Sequence, residues 1–274
     1  MTDSSGAGGA CNAKGRMNDD NEKVSSRSAV ILAIVAVLVA VYAVMFGLQT
    51  LVWAKTKFWA RDNPWILEVP KPLPAPAQSP VGEEKDEPIK AYGLQFIPSW
   101  KGNVKAQPSQ TGTIFRFDAG QVVVLFDPQT QVDTLRELET TTSAQYLTLL
   151  TIFGPKPFDT NYDLYKSVYG ATPVQASPFQ DRGESLRLDQ LLLMKLSFGV
   201  EAPGEIYSFE FGNNRGFQFG EPGKGLPVAA HIFNDRDDQF RVIITAAAGS
   251  NATITQDDVD AVLASLRHIP ITIH

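Results

Sequence analysis

His231, His268 and His274 are the only side chains whose ordinary pKa lies near neutrality, so proton-transfer or metal chemistry is sought there first. No two of them stand at a ligand spacing such as H-x-x-x-H. His231 falls in an alternating apolar run and His268 at the end of a helical pattern. The plain reading of His231 is a satisfied residue on a sheet face. The sharper one places Glu210 and Gln218 on neighbouring strands of the same face, where the three would line a polar pocket. Other chemistry is no better marked. Gly183-Glu184-Ser185 lacks the rest of a nucleophile elbow. Asp235, Asp237 and Asp238 imitate the start of a calcium loop, without its glycine or its distal glutamate, and read as a hairpin turn. Lys224 stands among glycines with no Ser/Thr or helix after it, and Gly6–Gly9 follow no strand, so neither is a phosphate loop. Asn251-Ala252-Thr253 fits a glycosylation acceptor. Cys11 is the sole cysteine, so thiolate metal sites and disulfide frameworks are excluded. No catalytic, cofactor-binding or metal-ligating residue is assigned on these patterns, and no cofactor is implied.

The elements that would position these residues are clearer. From Ser28 to Ala54 the chain has 27 uncharged residues, mostly Ala, Val, Leu and Ile. A bilayer core needs about 20 apolar residues. Arg27 closes one end; Lys55, Lys57 and Arg61 close the other, with Trp53, Phe58 and Trp59 at headgroup level. A single transmembrane helix over 28–54 follows, with the lipid bilayer as its partner. The run is too long for the apolar region of a cleaved signal peptide. Residues 1–27 read as a disordered tail. Residues 55–90 read as a juxtamembrane segment and stalk, because seven prolines between 64 and 88 favour an extended chain. Lys14, Arg16, Lys23 and Arg27 precede the run and three cations follow it. This narrow excess, with the stalk, leans toward a cytoplasmic tail and a periplasmic or extracellular domain.

Residues 91–274 are left for one soluble domain. Leu94–Ile97 is a strand ended by Pro98. Thr113–Phe117 and Gln121–Phe126 form a hairpin about Asp118-Ala119-Gly120. A helical middle covers Val132–Leu150, Tyr162–Val168 and Leu186–Phe198, the last with Leu188, Leu191, Leu192 and Leu196 as its inner stripe. Tyr207–Phe211 and Phe217–Phe219 pair around Gly212-Asn213-Asn214. Val228–Phe233 and Phe240–Ala246 pair around Asn234–Asp238. Thr255 and Asp258 open the last helix as a variant capping box. Its buried stripe is Val259, Val262, Leu263 and Leu266, with Asp260 outward. The order predicts an α+β fold: an antiparallel sheet flanked by helices, preceded by the single transmembrane helix.

Tyr92-Gly93-Leu94-Gln95-Phe96-Ile97-Pro98-Ser99-Trp100 resembles the opening strand of the PsbP-like family, named for an extrinsic photosystem II subunit. Phe240–Thr245 followed by Val259–Arg267 resembles that family's last strand and helix. The resemblance covers about a quarter of the domain. It implies a sheet between helical layers and non-enzymatic binding or assembly roles, and no functional residue carries over.

Charge sharpens the expectation. Residues 1–61 hold seven Lys/Arg against four Asp/Glu, and residues 62–274 hold 17 against 26. So acidic a domain offers no footprint for phosphates, and nucleic acid is excluded as a partner. The expected function is a membrane-tethered, non-enzymatic binding or assembly module with an unknown protein partner. The alternatives are a membrane-anchored, hydrolase-like enzyme with a dispersed site, and a structural bridge.

Overall fold

The computed structural model describes residues 16–74, 88–91, 93–127, 136, 151–154, 158–198, 205–223 and 225–269. Cys11, Lys224, the side chain of His268 and, except for Arg136, the helical run expected at Val132–Leu150 lie outside the described residues. Four helices are described: α1 (Arg16–Asp62), α2 (Asn161–Gly170), α3 (Arg182–Phe198) and α4 (Gln256–Ser265). The strands are β1 (Lys71–Pro72), β2 (Ile89–Ala91), β3 (Leu94–Phe96), β4 (Val104–Pro108), β5 (Gly112–Phe117), β6 (Gln121–Phe126), β7 (Ile206–Phe211), β8 (Asn214–Phe219), β9 (Val228–Phe233), β10 (Gln239–Ala246) and β11 (Arg267–His268).

At 1.5 Å per residue α1 is about 70 Å long. It absorbs residues 16–27, expected as tail, and 55–62, expected as juxtamembrane segment. Every residue from Ile31 to Met45 is exposed, and Ile31–Asp62 is long and apolar enough to cross a membrane. Past Met45 one face becomes covered. Gln49, Val52 and Thr56 are buried, Trp59 and Ala60 half-buried, and this spacing of three and four residues lays the face on α3. Lys55 pairs with Asp189 of α3 at 2.5 Å.

The expected stalk divides after α1. A 3-10 turn, Pro64–Leu67, buries Ile66 completely against Ala171, Leu188 and Leu192. β1 then joins the main sheet, where the Leu73 amide donates to the Ser208 carbonyl at 2.7 Å and Lys71 meets Glu205 at 2.6 Å. Residues 75–87 lie outside the described residues.

The main sheet has eight strands in the order β1-β7-β8-β9-β10-β6-β5-β4, and a second sheet runs β11-β3-β2. All pairings are antiparallel except β1 with β7, so the main sheet is mixed through one short parallel edge strand. Strand alternation gives the sheet two apolar faces. On one, Phe209, Phe211, Ala230, Ile232, Val242 and Leu125 pack with β3 and with Val259, Val262 and Leu263 of α4. On the other, Ile206, Phe217, Phe219, Ala229 and Phe233 pack with Tyr162, Tyr165 and Tyr169 of α2, and α3 adds Leu191, Met194 and Phe198. Gly216 permits the close packing of β8 on β9: a Cβ there would collide with the His231 carbonyl and lie 2.9 Å from the Phe209 ring.

The capping box at Thr255 and Asp258 forms as expected. Asp260 does not point outward. It is 5% exposed and accepts from Gln256 Nε2 at 2.7 Å, while Gln256 exchanges hydrogen bonds with Gln218 of β8 at 3.0 Å. Burial raises the Asp260 pKa, and the Gln256 hydrogen bond opposes the rise. The polar side of α4 therefore lies against the sheet at this point because β8 supplies a glutamine to meet it.

Candidate functional site

The pocket sought around His231 does not assemble. His231 pairs with Phe217 across β8 and β9, so it shares a face with Phe217, whereas Gln218 faces α4. Glu210 is exposed and lies opposite Arg215. His231 instead sits among Tyr165, Tyr169 and Phe219, with ring centroids 5.3 to 6.3 Å away. Its Nδ1 lies 3.4 Å from the Tyr169 hydroxyl. Burial lowers its pKa to about 4, so the imidazole is neutral at physiological pH. It is a core residue of the aromatic layer.

Asp237 and Asp238 of the β9–β10 turn have structural work, whereas Asp235 is exposed. Asp237, at φ 63°, turns its carboxylate onto the N-terminus of α2. It accepts from the Asn161 amide at 2.5 Å, from Asn161 Nδ2 at 3.0 Å and from the Tyr162 amide at 3.2 Å. An anion at that position also faces the positive end of the helix dipole. Asn234 Nδ2 donates to Asp238 at 2.9 Å and closes the turn. No group of three His, Cys, Asp or Glu side chains able to hold a metal occurs among the described residues.

Lys195 is the titratable residue that the leucine stripe concealed. It is fully buried, and Nζ donates to the carbonyls of Ile66 at 3.2 Å, Glu68 at 2.6 Å, Tyr169 at 2.9 Å and Ala171 at 2.9 Å. Burial lowers its pKa to about 8, and the Glu68 charge opposes that shift. An ammonium has three protons, so four acceptors leave none for a substrate. Two of those carbonyls belong to the end of α2 and two to the segment after α1, so the lysine ties both to α3. Its spacing from Leu188 and Leu192 was the signal available: a lysine on the buried stripe needs a partner.

An open cleft of about 500 Å³ lies where three segments meet: the β7–β8 turn, the β9–β10 turn and the C-terminal end of α4. Phe240, Asn214 and Leu266 line its buried part, and Asn213, Asp235, Arg236 and Arg267 are exposed at its rim. Asn214 holds the corner by donating from Nδ2 to the carbonyls of Leu263 at 2.9 Å and Leu266 at 2.7 Å. The last turn of α4 is thereby capped from β8. Two guanidinium groups beside an exposed amide and a carboxylate can grip carboxylates or the backbone of another chain, since a guanidinium offers a planar fork of donors. The cleft lies at the end where α2 begins, and Lys195 joins the opposite end of α2 to the segment that follows α1. No family model matches the chain, and neither a curated protein nor a solved structure matches it.

Proposed function

We propose that the protein is a membrane-tethered, non-enzymatic binding or assembly module, anchored by α1, whose cleft receives a segment of a partner protein. The observation that carries this reading is the placement of the cleft. It is open and rimmed by Arg236 and Arg267, and it lies at the end of α2 away from the anchor. A tether confines the domain to two dimensions and raises its effective concentration near a membrane-bound partner. The resemblance to PsbP-like domains, with their binding and assembly roles, supports the same reading. The domain is placed outside the cytoplasm, with the tail inside, on the charge excess before the apolar run.

A photo-crosslinking amino acid at Asn213 in the full chain tests the reading in cells. A discrete adduct is expected from Asn213, and none from Gln107 on the exposed strand β4. Reversing both rim cations, Arg236→Glu with Arg267→Glu, should weaken capture at least about tenfold, because charge complementarity governs such rims. Equal crosslinking from both positions, or indifference to the reversal, would remove the cleft from the proposal. Cys11, the sole cysteine, reports sidedness. An impermeant maleimide should reach it only after the membrane is opened; labelling on intact cells would invert the topology.

A further inference from the structure

Outside α1, two large hydrophobic side chains stand apart among the described residues: Val174 is 73% exposed and Phe179 is 72% exposed, with the next, Leu67 and Leu226, at 44%. Single exposed apolar residues are ordinary. These two share one short, well-built segment between α2 and α3. Its inner residues, Pro173 and Ala176, are buried. The Thr172 amide donates to Gln175 Oε1 at 2.9 Å, the Ser177 amide to Gln180 Oε1 at 2.9 Å, and the Phe179 amide to Ser177 Oγ at 3.3 Å. Both side chains are thus held outward by a closed hydrogen-bonded turn.

The same segment lies against the anchor. The turn Pro173–Gln175 packs on α1, and the Phe179 ring stands edge-on to Phe46 at 5.8 Å. Phe46 belongs to the uncharged run 28–54. From Ser28 to Phe46 a helix covers about 28 Å, close to the roughly 30 Å of a hydrocarbon core. The remainder of α1, from Gln49 onward, gives one face to α3 and so is only partly available to lipid. A deeper seating with Lys55 at the boundary would put Phe179 about 13 Å below it. It would also drag the exposed Asp181 and Arg182 into hydrocarbon, at a large desolvation cost. The seating that avoids this places Phe46 and Phe179 together at the interface.

Resting on the anchored reading above, we infer that the turn 172–180 is a second membrane contact: Val174 and Phe179 insert into the acyl boundary of the leaflet beside α1. Because the domain is packed on α1, a lone helix tilting or turning in the bilayer would carry the domain with it; a second insertion point beside it holds both in one orientation, with the cleft facing away from the lipid. Charged residues next to the wedge, Asp181 and Arg182, remain at headgroup level.

The test uses the full chain in phosphatidylcholine–phosphatidylglycerol liposomes, with Cys11→Ser as background and single nitroxide labels at Val174→Cys, Phe179→Cys, Val39→Cys and Glu210→Cys. Collision with oxygen, which concentrates in lipid, is compared with collision with a water-soluble nickel chelate. The oxygen-to-nickel ratio at 174 and 179 should be several times that at the exposed Glu210 position and approach that at Val39 on the bare part of α1. Water-like ratios at 174 and 179 with a lipid-like 39 would overturn the second contact and leave the anchor standing. A water-like 39 would overturn the anchor and the contact with it. Shielding of 174 and 179 from both reagents would mean that protein covers this surface, which also overturns the inference.

Discussion

His231 converts its burial into a pH dependence whose sign follows from linkage. Its pKa is about 4 in the folded protein against 6.5 for the free side chain. Between those values the unfolded chain binds a proton that the folded chain refuses, so stability rises with pH through this window. Folding therefore loses stability as pH falls from 6.5 to 4, by about 3 kcal/mol for a shift of this size. Above pH 6.5 both states are neutral and the residue contributes no slope. Replacing it, His231→Gln, should flatten the melting-temperature profile between pH 4 and 6.5 relative to the parent protein, whatever the variant's absolute stability. Parallel profiles would mean that the imidazole is already protonated in the fold.

At the level of elements, α4 depends on a residue far from it in sequence. Val259, Val262 and Leu263 are fully buried, so Leu263→Ala should cost about 2–5 kcal/mol, as other buried leucines do. The less obvious determinant is Asn214, which supplies donors to the Leu263 and Leu266 carbonyls. Asn214→Ala leaves both acceptors without that amide and should cost about 1–3 kcal/mol. Asn214→Asp should be worse, since a carboxylate cannot donate and meets the negative end of the helix. Thermal unfolding followed by fluorescence in detergent ranks the three variants. If Asp is the milder change, the amide is not acting as a cap.

For the whole molecule, α1 from Gln49 onward, the segment that follows it and the domain are one folded unit rather than two bodies joined by a stalk. The segment from Gln49 to Leu73 contributes buried side chains, the lysine-bound carbonyls and a sheet edge. Removing residues 1–60 would strip the helical face that covers Leu188 and Leu192, although the proline content alone suggests that this cut is harmless. A chain beginning at Phe46 should melt within a few degrees of the full protein. One beginning at Arg61 should melt much lower or aggregate, since newly exposed apolar area costs about 25 cal/mol per Å². Equal melting temperatures would show that the α1–α3 contact contributes nothing to the fold.

What the chain determines locally was legible in it. The α4 capping box and stripe, the hairpins at 112–126, 206–219 and 228–246, and the apolar length of α1 follow from patterns spanning a few residues. Such patterns report a residue's own helix face or strand side. They do not report what arrives from elsewhere. The short strands β1, β2 and β11 have too few residues for alternation, and β1 lies in a proline-rich stretch whose composition suggests no sheet. Lys195 reads as an interruption of a leucine stripe until the ends of α2 and of the α1 connection surround it. Asp260 reads as solvent-facing until Gln256, itself held by Gln218 of β8, donates to it. The cleft joins residues near 212, 235 and 266, each recognisable only as a turn or a helix end. Only tertiary structure decides these features, because a buried polar group is stabilised by partners that chain folding, not sequence neighbourhood, brings within hydrogen-bond distance.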